Sequence, residues 1–193
     1  MKKKHETLVL GAMLRKIAPQ IGAKVLLEPV WRIVGQINFG SGKRSYFRYN
    51  TLDLNPVGAS DVAKDKDYAN FFINKLRYPV VPGSKTFFRN DWAEAIGVKG
   101  RRIDAAYAHA EKLGFPVIVK PNSGSQGDAV ALVYTKRAFY RAVRAVFKKD
   151  RVVLVQKPVS GKDYRIVVLD EEVISAYERI PLSVTGDRKK TVS

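Results

Sequence analysis

The chain has 193 residues, 46% of them hydrophobic, and a formal net charge of +17. That length admits one domain or two small ones with a packed core, and so basic a surface attracts polyanions such as nucleic acid, nucleotides or acidic polymers. With no cysteine and only His5 and His109, disulfides, thiolate sites and a cysteine nucleophile are excluded, a structural zinc site lacks ligands, and the composition fits a reducing cytoplasm.

Lys2, Lys3 and Lys4 precede an apolar run from Leu8 to Leu14. His5 and Glu6 interrupt the approach, Arg15 and Lys16 close the run, and no A-x-A cleavage site follows, so the segment reads as an amphipathic helix rather than a signal peptide. Leu10, Met13, Leu14, Ile17 and Ile21 share its apolar face. No stretch is long enough to span a bilayer. Trp31, Ile33, Ile37 and Phe39 then alternate as on a half-buried strand. Gly40-Ser41-Gly42 is a hairpin signal, and Ser45, Phe47 and Tyr49 resume the alternation. Residues 50–59, with Asn55-Pro56 and Gly58, read as loop. Asp61 caps a predicted helix reaching about Leu76, with Phe71, Phe72 and Leu76 on its apolar side. Pro79, Pro82 and Gly83 end that element, and Lys85 to Phe88 reads as a short strand.

The stretch RRIDAAYAHAEKLG predicts a helix with Ile103, Ala106, Tyr107 and Ala110 on one face and Gly114 after its end. Strands are predicted over 117–120 and 130–134. A strongly amphipathic helix follows from Lys136 to about Lys149, with Phe139, Val143, Val146 and Phe147 opposite Arg137, Arg141, Arg144 and Lys148. Strands at 152–156, 164–169 and 173–177 complete the series. Interspersed helices and hairpin-like returns argue an α+β fold rather than a purely parallel sheet.

Two constellations carry chemistry. In FPVIVKPNSGSQGDAV, residues 115–130, Lys120 ends an apolar strand beside a Gly/Ser loop. Gly124 and Gly127 let backbone N–H groups approach a phosphate chain, Ser123 and Ser125 add hydroxyl donors, and Lys120 adds a point charge. No Walker A pattern is present; by itself the segment is equally a strand meeting a surface turn. In VLVQKPVSGKDYRIVV, residues 153–168, Gln156, the backbone of Lys157 to Val159 and Asp163 supply partners for a purine edge and a ribose. Alone, that segment reads first as a hairpin with charges near its turn.

Taken together, the two segments resemble the ATP-grasp superfamily. VIVKPNSGSQG is similar to its phosphate-binding strand and flexible loop, and VQKPVSGKDYRI to its nucleotide hinge. AKDKDYANFFINKLRYPVVPG, residues 63–83, resembles the segment opening the grasp domain. VISAYERIPLSVTGD, residues 173–187, is similar to the cyanophycin synthetase and ribosomal-protein glutamate ligase branch. The resemblance covers about residues 50–187. It implies an ATP-grasp-like architecture of two α+β subdomains, the C-terminal one incomplete. An N-terminal helix and β-hairpin region would occupy 1–59 and a partial ATP-grasp domain 60–193, with a subdomain boundary near 150.

The resemblance also implies a reaction: ATP phosphorylates a carboxylate and an amine attacks the acyl phosphate. Lys120, and less securely Lys66, would hold phosphates under a flap of Ser123, Gly124, Ser125, Gln126 and Gly127. Gln156, Lys157 and Val159 would meet the adenine and Asp163 the ribose. Arg165 and Arg179 would stabilise phosphate or acyl-phosphate charge, unless they serve only surface ion pairs. Three departures stand out. Asp128 and Ala129 replace part of the usual G-x-G-V loop, Gly186-Asp187-Arg188 replaces GDG, and the magnesium ligands are expected beyond Ser193. Glu171, Glu172, Glu178 and Asp187 do not reproduce their spacing. The expectation is weak or absent nucleotide binding and no turnover by this chain alone. Two alternatives stay open: a non-enzymatic basic module that binds nucleic acid or another polyanion, and a degenerate ATP-grasp scaffold.

Overall fold

The computed structural model describes residues 9–181. The approach Lys2–Glu6 and the departure at Gly186-Asp187-Arg188 lie outside the described residues. The chain divides into two compact units, before and after the Leu76–Arg77 link.

In the first unit, helix α1 (Val9–Ile17) leads through a 3₁₀ turn into an antiparallel meander of β1 (Lys24–Leu27), β2 (Val34–Asn38), β3 (Arg44–Arg48) and β4 (Thr51–Leu52). Leu10 and Leu14 are half-buried, but Met13, Ile17 and Ile21 of the expected apolar face are exposed. The strand expected from Trp31 begins only at Val34. The Glu28 carboxylate accepts the N–H groups of Val30 and Trp31 at 2.7 Å and of Arg32 at 3.1 Å, which turns the chain there and pulls the Glu28 pKa down. Gly35 faces Phe47 across the β2–β3 pair, and a Cβ at Gly35 would meet the Phe47 ring at 2.5 Å. The missing side chain thus makes room for the buried aromatic.

Residues 50–59 are not all loop: β4 lies within them and helix α2 (Val57–Lys64) begins there. Nor does one helix run from Asp61 to Leu76. The chain breaks at Asp65, which adopts an extended conformation, accepts the Tyr68 N–H at 2.9 Å and so caps a separate helix α3 (Lys66–Lys75). Asp61 instead pairs with Lys64.

The second unit holds β5 (Lys85–Phe88), α4 (Asn90–Ala95), α5 (Ile103–Leu113), β6 (Val117–Pro121), β7 (Ala131–Val133), α6 (Lys136–Phe147) and β8 (Val152–Gln156), then a ribbon of β9 (Tyr164–Leu169) and β10 (Glu172–Glu178). The sheet order is β5-β8-β6-β7, and every strand pair is antiparallel. With helices on one side of such a sheet, the fold is α+β. α4 and β1 were not legible in the sequence, being short and without a complete period.

Register assigns the side chains. Val117 and Val119 of β6, Val153 and Val155 of β8, Phe87 of β5 and Val133 of β7 alternate onto the side covered by α5 and α6. There they form one cluster with Ala106, Ala110, Phe139, Val143 and Val146, all 2% exposed or less. Each fully buried Val or Phe contributes about 1.5–3 kcal/mol. Thr135 caps α6 by accepting the Ala138 N–H at 3.3 Å, and the Arg89 guanidinium donates to the Phe147 carbonyl at the other end.

Candidate functional site

The opposite side of the same sheet is chemically different. Ile118 pairs with Gln156 and Lys120 with Leu154, so Lys120 and Gln156 share the side turned away from α5 and α6. Thr86 pairs with Leu154 and joins them. Asn122 continues the alternation of β6, its N–H donating to the Val152 carbonyl at 3.1 Å. Among the described residues the buried polar side chains are Thr86, Asn122 and Gln156, all on this side. A sheet whose two faces divide in this way folds on one and can bind on the other. Diagonal neighbours across an antiparallel pair lie about 7–8 Å apart, so Lys120 and Gln156 can meet two parts of one ligand.

The loop leaving Lys120 is compact. Gly124, Gln126, Gly127 and Ala129 have φ of 81°, 62°, 76° and 54°. Ala129, where the resembling family carries glycine, thus sits in the left-handed region that glycine favours. Ser123 donates both its N–H (2.9 Å) and its hydroxyl (2.8 Å) to Oδ2 of Asp150. Asp128, an apparent liability beside an anion, is ion-paired with Lys149. Ser125, Gln126, Gly127 and Asp128 are exposed.

The hinge is less open than its sequence suggests. Gln156 is 7% exposed. The Lys157 N–H donates to the Pro82 carbonyl at 3.3 Å, and its Nζ donates to the Gly114 carbonyl at 3.1 Å. Val159 is exposed. On the ribbon, Tyr164 pairs with Glu178 and Arg165 with Tyr177, which sets Asp163 opposite Arg179. The Arg179 N–H donates to the Asp163 carbonyl at 2.6 Å, and its guanidinium lies 2.6–2.8 Å from both carboxylate oxygens of Asp163. That hydrogen bond, and then the opposite charge, raise the Arg179 pKa. Asp163, Arg165 and Arg179 therefore share one ribbon face, with the first and last neutralising each other. Lys66 is the first residue of α3, half-buried, in the other unit.

Thr86, Asn122, Lys149 and Asp150 escaped sequence reasoning. Asp150 left one trace, an Asp two residues before a strand, the position from which its Oδ1 accepts the Val152 N–H at 3.0 Å. Among the described residues no cluster of three or more His, Asp or Glu could hold a metal ion, and no helix is long and apolar enough to cross a membrane.

A Gly/Ser loop after a lysine-ended strand, beside β8 in an antiparallel α+β sheet, is the arrangement that the ATP-grasp resemblance implies. The family model described as D-ala D-ala ligase C-terminus matches residues 79–187, and the chain belongs to that ATP-grasp ligase family. It is similar to cyanophycin synthetase of Nostoc sp., with 28% identity over 166 residues, covering 84% of this chain and 16% of that protein. It is also similar to the D-alanine–D-alanine ligase of Actinobacillus pleuropneumoniae, with 39% identity over 83 residues, covering 43% of this chain and 27% of the ligase. The chain thus spans 16–27% of the length of these relatives. The solved D-alanine-D-alanine ligase from Coxiella burnetii aligns with a TM-score of 0.46 and 23% identity, over 56% of this chain and 28% of that one.

Proposed function

We propose that residues 77–181 form the nucleotide-binding part of a carboxylate–amine ligase. The observation that carries this reading is the shared polar side of β6 and β8, where Lys120 and Gln156 stand on neighbouring strands with the 123–128 loop rising from the first. The donor set fits a nucleotide. Lys120 supplies a fixed cation, Ser125 a hydroxyl, and Gly124 and Gly127 backbone N–H groups that no Cβ shields. Gln156 offers an acceptor for a purine amino group. Because the Lys157 N–H is engaged with Pro82, the purine edge meets the Lys157 carbonyl and the backbone beyond it. Asp163 would accept from ribose hydroxyls while Arg179 holds its carboxylate in place, and Arg165 would face developing phosphate charge.

ATP would supply the phosphoryl group that activates a carboxylate toward an amine. No described residue is assigned to magnesium. Neither the acid nor the amine is specified by the described side chains. Nucleotide binding is weak in this reading, because Ala129 strains the loop. Titration with a non-hydrolysable ATP analogue tests it. Wild type binds, and Lys120→Ala weakens binding at least about tenfold, as loss of a charge-assisted contact implies. Equal affinity of the two proteins contradicts it.

A second reading is favoured by a separate observation. Arg137, Arg141, Arg144 and Lys148 are all exposed along α6, and among the described residues none has an ion-pair partner. Such a stripe suits a single-stranded nucleic acid backbone. Binding of an RNA oligonucleotide that falls steeply with salt, and is unaffected by Lys120→Ala, supports it; salt-independent or absent binding removes it.

A further inference from the structure

The loop assigned to the triphosphate is tied at both ends to the same turn. At its entry, Ser123 gives two hydrogen bonds to one oxygen of Asp150. The other oxygen of Asp150 accepts the N–H of Val152, the first residue of β8. One carboxylate therefore fastens the loop's first residue to the hinge strand. At its exit, Asp128 is ion-paired with the adjacent residue, Lys149. Between the ties, the Asp128 N–H donates to the Ser125 carbonyl at 3.4 Å, and just past the exit the Val130 N–H donates to the Gly127 carbonyl at 3.1 Å.

We propose that the Lys149–Asp150 turn is a two-point anchor that positions the 123–128 loop for a triphosphate. Asp150 fixes the entry at Ser123, and Lys149 neutralises Asp128 at the exit. The proposal rests on the nucleotide reading above. Its logic is preorganisation: a loop rich in glycine loses much backbone freedom on closing over a ligand, and an anchor that restrains it beforehand lowers that loss. Charge acts in the same direction. An unpaired Asp128 would repel a polyanion; paired, it presents no net charge.

Asp150→Asn is the selective variant. The Asn oxygen still accepts from Val152, so the start of β8 is kept, but the amide nitrogen cannot accept from Ser123. The variant also makes the chain more basic, which on charge alone would favour an anion. In nucleotide-free protein, Asp150→Asn and Ser123→Ala speed amide exchange across 123–128 on the order of tenfold, and in binding assays Asp150→Asn weakens the ATP analogue on the order of tenfold. Lys149→Met weakens binding to a similar extent, and adding Asp128→Asn restores it to within about threefold.

The two proposals fail separately. If wild type does not bind the analogue, the nucleotide reading falls, while faster loop exchange in Asp150→Asn still upholds the anchor. If wild type binds and Asp150→Asn matches it in affinity and loop exchange, the anchor is overturned. If Asp128→Asn fails to rescue Lys149→Met, Lys149 acts as a phosphate-attracting cation and the exit half of the anchor is overturned.

Discussion

The two sides of the β5-β8-β6-β7 sheet are made by the same strands, residue by alternating residue, yet they differ in kind. Toward α5 and α6 stand Phe87, Val117, Val119, Val153 and Val155, each 1% exposed or less. On the other side stand Thr86, Lys120, Asn122 and Gln156 around Leu154. Alternation with period two lets one strand serve both sides: Val117 and Val119 of β6 face the helices, and Ile118 and Lys120 face away from them. Damage to the first side should therefore register in stability, and damage to the second in ligand affinity.

The largest expected effect comes from the apolar side. Phe139→Ala removes a ring with no exposed surface and should cost about 3–5 kcal/mol, read by urea unfolding. A smaller loss would mean the helix-covered side is not the main source of stability. Lys120→Ala, on the other side, should change stability by less than about 1 kcal/mol while lowering affinity for an ATP analogue tenfold or more. Large unfolding with no separate binding loss would erase the division between the two sides.

At the loop rim, Ala129→Gly relieves a side chain held at a φ of 54°. It should raise stability by up to about 1 kcal/mol, offset in part by the chain entropy of glycine, and should tighten nucleotide binding. A double-mutant cycle on Asp163 and Arg179, an exposed pair, should give only a small coupling in stability. Its larger consequence should be in affinity, since both residues are assigned to the nucleotide. The smallest effect lies in acid. Asp91, bonded to Arg89, has its pKa lowered to about 2. Because the folded value lies below the unfolded one, this contribution is present above about pH 4 and is lost as pH falls toward 2. Asp91→Asn should flatten that part of the stability profile without changing ligand binding.

What was legible in the sequence was mostly local. β6, β8 and α6 announced themselves by period, and the α+β class followed from the order of strands and helices. The break at Asp65 was hidden because an aspartate inside a helical pattern can be a surface residue or a cap, and only the Tyr68 N–H decides between them. The site was legible as two segments, but not in how they are held. Asp150 acts on Ser123 across 27 positions, a contact with no periodic signature. The antagonism of Asp163 and Arg179 follows from strand register, which pairs residues 16 positions apart. Asp128 read as a defect of the loop because its partner, Lys149, had been read only as the end of a helix.

We place the nucleotide on the side of the sheet that faces away from α5 and α6. Titration of ¹⁵N-labelled protein with a non-hydrolysable ATP analogue decides it. Amide shifts concentrated at residues 118–128 and 154–163, with those of α6 unmoved, are the predicted result; shifts concentrated on α6 instead, or none at Lys120 and Gln156, would contradict it.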